Sequence, residues 1–272
     1  MLDQILCALN LPPEAETVQR IQTEHRLRLI DLWNIAPGSR VLEIGCGQGD
    51  TTAALAAAVG ENGFVHAIDI ASGDYGAPFT LSEARAQLLA SPLGPRIRMD
   101  FECDIADLPA DTPVFDAAVL SHCLWYFSSH DELTRILKAA RPLCRKLCIA
   151  EWDISRCLPD QRVHREAALL QAACAAYSET DGNIRTLFYL EDIISAAEIA
   201  GFTVTATDRI FSPKLQDGQW ELYNALELCP GQIKEGGMPE KLRHILTMEL
   251  QQLERKRGKK IKPLSVFTLT AE

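Results

Sequence analysis

The stretch RVLEIGCGQGD, residues 40–50, constrains this chain more than any other. A short apolar run ends in three glycines at alternate positions, Gly45, Gly47 and Gly49, and an alanine-rich run, TTAALAAAVG, follows at once and closes at Gly60. That order predicts a strand turning directly into a helix, with the loop amides gathered at the helix N-terminus. Glycine adopts backbone conformations closed to other residues and lets a ligand approach the main chain. The dinucleotide-binding pattern G-x-G-x-x-G, begun at Gly45, requires glycine at position 50, where the chain has Asp50. A carboxylate at the mouth of that helix has the wrong sign for a pyrophosphate neighbour.

Further strands are expected at 64–70, 96–103, 114–121 and 146–152, alternating with helices that begin near Thr80 and Ser129. Both of those residues have a glutamate three positions on, Glu83 and Glu132, which is capping-box spacing. Strands alternating with helices mean a parallel sheet covered on both faces. A helix at 15–35 precedes this pattern. Helices at about 160–178 and 189–200, a strand-like GFTVTATDRIF, two more helices and a terminal LSVFTLTA follow it. The two late strands suit a hairpin-like edge. No composition shift divides the chain, so one domain over 1–272 is expected: helices at 1–36, a first half at 37–152 and a second half at 153–272.

A hydrophobic fraction of 47% supplies a sizeable core, and 27 basic against 37 acidic residues give a net charge of −10. Such a charge repels phosphate backbones, so no nucleic-acid partner is expected. The one basic run, ERKRGKKIK at 254–262, reads as a solvated helix end and turn. No 18-residue apolar run and no leader pattern at the start stand out, so no membrane partner is expected either. Nine cysteines include no C-x-x-C pair, and Cys46, Cys103, Cys123 and Cys148 fall in or beside apolar stretches, as small hydrophobes do. A cytoplasmic protein without a metal site is the expectation, with a homodimer left open.

VLEIGCGQGD resembles the E-x-G-x-G-x-G loop of class I S-adenosylmethionine-dependent methyltransferases, and further motifs of that family follow in order over residues 37–152. HAIDI supplies Asp69, 20 residues beyond Gly49; ECDIADLP supplies Asp104 and Ile105; FDAAVLSHCLWYF resembles the fourth strand and its exit. The resemblance implies a Rossmann-like α/β fold with a seven-stranded, mainly parallel sheet, helices on both faces and a lid of N-terminal and C-terminal helices. It implies S-adenosylmethionine as cofactor and S-adenosylhomocysteine as product. Cofactor contacts then fall to Glu43, Gly45, Cys46, Gly47, Gly49, Asp69, Ile70, Asp104, Ile105 and Ser121. Asp69 would accept hydrogen bonds from the ribose hydroxyls, and Asp104 would meet the exocyclic amine of adenine while Ile105 packs on the ring.

A sulfonium already carries a good leaving group, so methyl transfer needs mainly alignment, plus a base where the acceptor holds a proton. His122, at the exit of the fourth strand, is the base candidate, with a structural role as a strand-end cap standing beside it. Trp125, Tyr126, Tyr75 and His25 are candidates for contact with the acceptor. Ser121 stands where metal-dependent relatives place an aspartate. The expected reaction is metal-independent methyl transfer to a small, aromatic or apolar metabolite in an apolar pocket. Two alternatives stay open: other chemistry on the same fold, such as aminopropyl transfer or a cofactor-assisted rearrangement, and a non-catalytic binding subunit.

Overall fold

The computed structural model describes residues 1–76, 79–178, 182 and 184–272. Residues 77–78, in the turn-rich stretch after the second strand, and residues 179–181 and 183, beyond the helix expected at 160–178, lie outside the described residues. The strands are β1 Arg40–Ile44, β2 Phe64–Ile68, β3 Ile97–Asp100, β4 Phe115–Ser121, β5 Cys144–Trp152, β6 Val204–Ile210 and β7 Val266–Ala271. They form one seven-stranded sheet in the order β3-β2-β1-β4-β5-β7-β6. The pairs among β1 to β5 are parallel, and β7 runs antiparallel to both β5 and β6.

The two late strands pair antiparallel at one edge of the sheet, the hairpin-like edge expected, with β7 on the inside against β5 and β6 outermost. β7 enters between β5 and β6 because its side chains are buried on both faces, with Phe267, Leu269 and Ala271 in the core and Thr268 inside as well. β6 takes the edge: Thr205 to Arg209 are exposed, and polar and charged residues there discourage a further strand from adding on.

The helices are α1 Leu2–Leu9, α2 Pro13–Leu32, α3 Asp50–Val59, α4 Leu81–Ala90, α5 His130–Ala140, α6 Arg162–Ala175, α7 Leu190–Ile199, α8 Asp217–Glu235 and α9 Glu240–Glu254. Alternation along the buried strands sorts side chains onto two cores. Val41, Val65, Val119 and Ala150 pack with Ile5 of α1, Leu29 of α2 and Leu55 of α3. Leu42, Ile68, Leu120 and Ile149 pack with Leu137 of α5 and Ile193 of α7. Each fully buried leucine or isoleucine contributes about 2 kcal/mol. Thr80 caps α4 through a capping box with Glu83, and the Ser129 hydroxyl accepts the Glu132 amide to start α5.

A third core joins α6, α8 and α9 through residues such as Leu170, Leu222, Ala225 and Leu246. Gln22 of α2 ties this cap to the rest by donating to Asp217 at 3.0 Å, and within the cap Gln171 of α6 donates to Glu221 of α8 at 2.8 Å. α2, α6 and α8 thereby meet over the C-terminal ends of β4 and β5. Among the described residues no helix is long and apolar enough to cross a membrane.

Candidate functional site

The loop after β1 folds as its glycines require. Gly45 and Cys46 donate their amides to the Ile68 carbonyl at 2.9 and 3.2 Å, which seats the loop against the end of β2. Gly45 has φ +76°, and a Cβ there would lie 2.8 Å from Cβ of Cys123. Gly47 has φ +51°, and a Cβ there would meet nothing within 4 Å, so the main chain faces open space. Its amide donates to Oδ2 of Asp69 at 2.8 Å, while Oδ1 of Asp69 accepts the Ala71 amide at 2.9 Å. Each Asp69 oxygen keeps a free lone pair beside that space.

Glu43 is buried, and its Oε2 accepts the Thr52 hydroxyl at 2.5 Å. Burial pushes its carboxyl up to about 8, against the opposing effect of that hydrogen bond. Asp50, which argued against a pyrophosphate, holds α2 over the loop: it accepts from Gln19 at 2.7 Å and lies 3.6 Å from Arg26. As the first residue of α3 it also sits where a helix dipole favours an acid.

Next to Asp69, Ile70 is 62% exposed, an unusual position for a large aliphatic side chain, whereas Ile105 is only 4% exposed. Asp104 turns its carboxylate to Arg135 with both oxygens, at 2.9 and 2.7 Å, and Oδ1 also accepts the Ala106 amide. The guanidinium holds this carboxyl below the ordinary aspartate range. Oδ2 retains a lone pair for another donor.

The exit of β4 is the second half of the site. His122 has φ +53°, rare for a side-chain-bearing residue, and its amide donates to the Ala150 carbonyl at 2.9 Å. Its Nε2 lies 3.1 Å from Nε2 of His25, and its Nδ1 lies 3.5 Å from Oε1 of Glu151. Nδ1 has no hydrogen-bond partner among the described residues, nor do the buried Ser121 hydroxyl, the Trp125 indole nitrogen and Nε2 of His164. Glu151 is 1% exposed and is held by the Leu124 and Trp152 amides at 3.0 and 2.9 Å. The Trp152 ring lies 4.8 Å from that of His122 and 5.2 Å from that of His164, with His25 stacked at 6.4 Å.

From the cap, Asp217 and Glu221 stand one turn apart on α8. Burial raises both carboxyls, Glu221 to about 7, and the charge of Asp217 adds to the shift at Glu221. The carboxylates of Glu151 and Asp217 act on Glu221, and that of Asp217 feels His122. The region expected to form an apolar pocket thus combines aromatic rings with several ionisable groups. Trp125 is buried, Phe127 joins the second core, and Tyr126 and Tyr75 remain part-exposed, at 41% and 44%.

Sequence reasoning brought Glu43, Gly45, Cys46, Gly47, Gly49, Asp69 and Ile70 to one loop cluster, and Ser121, His122, Trp125 and Tyr126 to one strand exit. It missed Arg26, Glu151, His164, Asp217 and Glu221. Glu151 alone left a signal, an acid inside the otherwise buried strand KLCIAEW. Among the described residues no three His, Cys, Asp or Glu side chains gather as a metal site.

Residues 41–146 match the model of a methyltransferase domain. The solved structure of a cyclopropane-fatty-acyl-phospholipid synthase-like protein from Lactobacillus casei ATCC 334 is 36% identical, covers 99% of this chain and 98% of its own, and superposes with a TM-score of 0.88. The chain belongs to the class I S-adenosylmethionine-dependent methyltransferases. Methyltransferase phomM' from Diaporthe leptostromiformis is 30% identical over 208 residues, 60% of this chain and 53% of that protein. The chain spans about half the length of the first curated relatives it matches. Magnesium protoporphyrin IX methyltransferase from Synechocystis PCC 6803, solved with bound S-adenosylhomocysteine, shares the fold with a TM-score of 0.52 at 13% identity, covering 99% of this chain and 92% of its own. As a member of this methyltransferase family, the chain has S-adenosylmethionine as its cofactor.

Proposed function

We propose that this chain transfers the methyl group of S-adenosylmethionine to a small molecule held beneath α2, α6 and α8, and releases S-adenosylhomocysteine. One observation carries the reading: the glycine loop, with its open Gly47 backbone fastened to Asp69, packs through Gly45 against Cys123 at the β4 exit, where polar atoms of Ser121, His122 and Trp125 have no partner among the described residues. The cofactor supplies an activated methyl on a sulfonium leaving group. The chain's own residues hold and orient. Asp69 takes the ribose hydroxyls on its free lone pairs, Ile70 and Ile105 flank the adenine, and Oδ2 of Asp104 meets the exocyclic amine. Glu43, Cys46, Ser121 and the backbone from Gly45 to Gly49 form the methionine end, and Arg26 lies within reach of the same loop.

His122 takes the acceptor's proton on Nδ1, where the resulting imidazolium faces Glu151. The indoles of Trp125 and Trp152 suit a flat ring, and Asp217 and Glu221 suit a hydroxyl or amine upon it. Tyr75 and Tyr126 stand at the entrance. A small aromatic acceptor with a donor group is therefore favoured over a long alkyl chain, although the Lactobacillus relative is called cyclopropane synthase-like. Nine free cysteines support a reducing, cytoplasmic setting.

The test is incubation with methyl-labelled cofactor and a metabolite panel. One compound must gain a single labelled methyl as S-adenosylhomocysteine accumulates in equal amount. Consumption of cofactor with methylthioadenosine as product would replace this reading by aminopropyl transfer.

A further inference from the structure

His25 and His122 come from different elements, α2 and the exit of β4, yet their Nε2 atoms lie 3.1 Å apart. An N···N contact of that length holds one proton, so the tautomer of one ring dictates that of the other. On its far side, Nδ1 of His25 lies 2.9 Å from the Ser212 hydroxyl, which also accepts from exposed Arg28 at 3.0 Å. The three side chains thus run in line from the buried Nδ1 of His122 to the protein surface.

We infer that His25 is a positioning residue for His122, and with Ser212 forms the exit for the proton that His122 receives. The inference rests on His122 being the group that takes the acceptor's proton. Before transfer, His122 donates Nε2–H to Nε2 of His25, His25 donates Nδ1–H to Ser212, and Nδ1 of His122, 3.5 Å from Oε1 of Glu151, keeps its lone pair for the acceptor's proton. The acceptor's proton goes to that lone pair. His122 then passes its Nε2 proton to His25, His25 passes its Nδ1 proton to the Ser212 oxygen, and the original hydroxyl proton leaves to water. One proton enters and one leaves, and both histidines end neutral.

The surroundings fit this division of labour. His25 is 3% exposed, and burial, His122, Arg26 and Arg28 together press its ring down to about 2, so it does not hold the charge itself. His122 faces Glu151 from β5, Asp217 from α8 and neutral His164 from α6, whose ring burial lowers to about 3. Carboxylates thus stand beside His122 on two sides, while the charged neighbours of His25 are the cations Arg26 and Arg28.

Long-range proton–nitrogen spectra of the full chain labelled with 15N-histidine test this without the acceptor; His66, His130, His164 and His244 serve as internal references. In these spectra His122 carries its proton on Nε2 and His25 carries its proton on Nδ1. Ser212→Ala returns that proton to Nε2. His25→Phe releases His122 into a mixture of both tautomers, and His25→Gln, the milder change, holds it as Nε2–H; a thermal melt reports whether each variant folds. A His25 that carries its proton on Nε2 overturns the relay. Titration with S-adenosylhomocysteine separates the two levels: binding by a chain whose His25 carries its proton on Nε2 overturns the relay alone, and no binding overturns the proposed function.

Discussion

Asp69 accepts the Gly47 amide at 2.8 Å, fastening the end of β2 to the middle of the glycine loop. One carboxylate thereby orders the loop and still presents lone pairs to a ligand. Asp69→Ala removes both effects and is expected to weaken S-adenosylhomocysteine binding at least about tenfold, the equivalent of one charge-assisted hydrogen bond. Calorimetry on the two proteins measures it.

The glycines differ in what they tolerate. At Gly45 an added Cβ meets Cys123 at 2.8 Å in a left-handed conformation, so Gly45→Ala is expected to cost about 1–3 kcal/mol of stability by chemical denaturation. At Gly47 the Cβ meets no protein atom. Gly47→Ala is therefore expected to cost only about 1 kcal/mol for its backbone, while obstructing the ligand and lowering cofactor affinity by more than its stability loss predicts.

Glu43 and Glu221 make stability depend on pH. Both folded carboxyls sit above the ordinary 4.5, at about 8 and about 7. The folded state therefore binds more protons than the unfolded one between those limits. Their contribution is complete below about 4.5 and is lost as pH rises through 7 and 8. Glu43→Gln keeps an acceptor for Thr52 without the charge, and its melting temperature is expected to fall less than that of the wild type between pH 5 and 8.

Asp104 and Arg135 form a part-exposed pair, with side chains 28% and 46% accessible. Such pairs contribute under about 1 kcal/mol, so Asp104→Asn is expected to leave the melt nearly unchanged. Its cofactor affinity should fall severalfold, whereas binding of the analogue with oxygen in place of the exocyclic amine should not. Equal losses for both ligands would remove Asp104 from the adenine edge.

His122→Gln is expected to lower turnover at least about tenfold, with cofactor affinity within twofold of the wild type. Labelled-methyl transfer to whichever acceptor the panel identifies, alongside calorimetry, provides the comparison. Full activity would return His122 to a strand-end role.

The parallel half of the fold was legible because each element declares itself locally. Apolar runs such as VLEI and FVHAI are bounded by glycine or acid, and Thr80 and Ser129 carry their capping partners within four residues. The glycine loop and Asp69 were legible for the same reason. The rest depends on long-range packing. β7 reads as a strand, yet only its burial against both β5 and β6 fixes its place inside the sheet. Asp217 and Glu221 look like solvated acids in α8 until Gln22, Gln171 and His122 are brought beside them. Within the helical stretch expected at 1–36, α1 has no bounds legible in the sequence because eight residues offer little periodicity before the prolines at 12 and 13. His25 reads as a candidate for contact with the acceptor, and only the fold brings its ring to 3.1 Å from His122.

The central claim is a cofactor site built on the loop and Asp69. Calorimetric titration of the wild-type chain with S-adenosylhomocysteine tests it most directly. Saturable binding at one site per chain, weakened at least about tenfold in Asp69→Ala, is the predicted result. No measurable heat at millimolar ligand, or equal affinity in the two proteins, would contradict it.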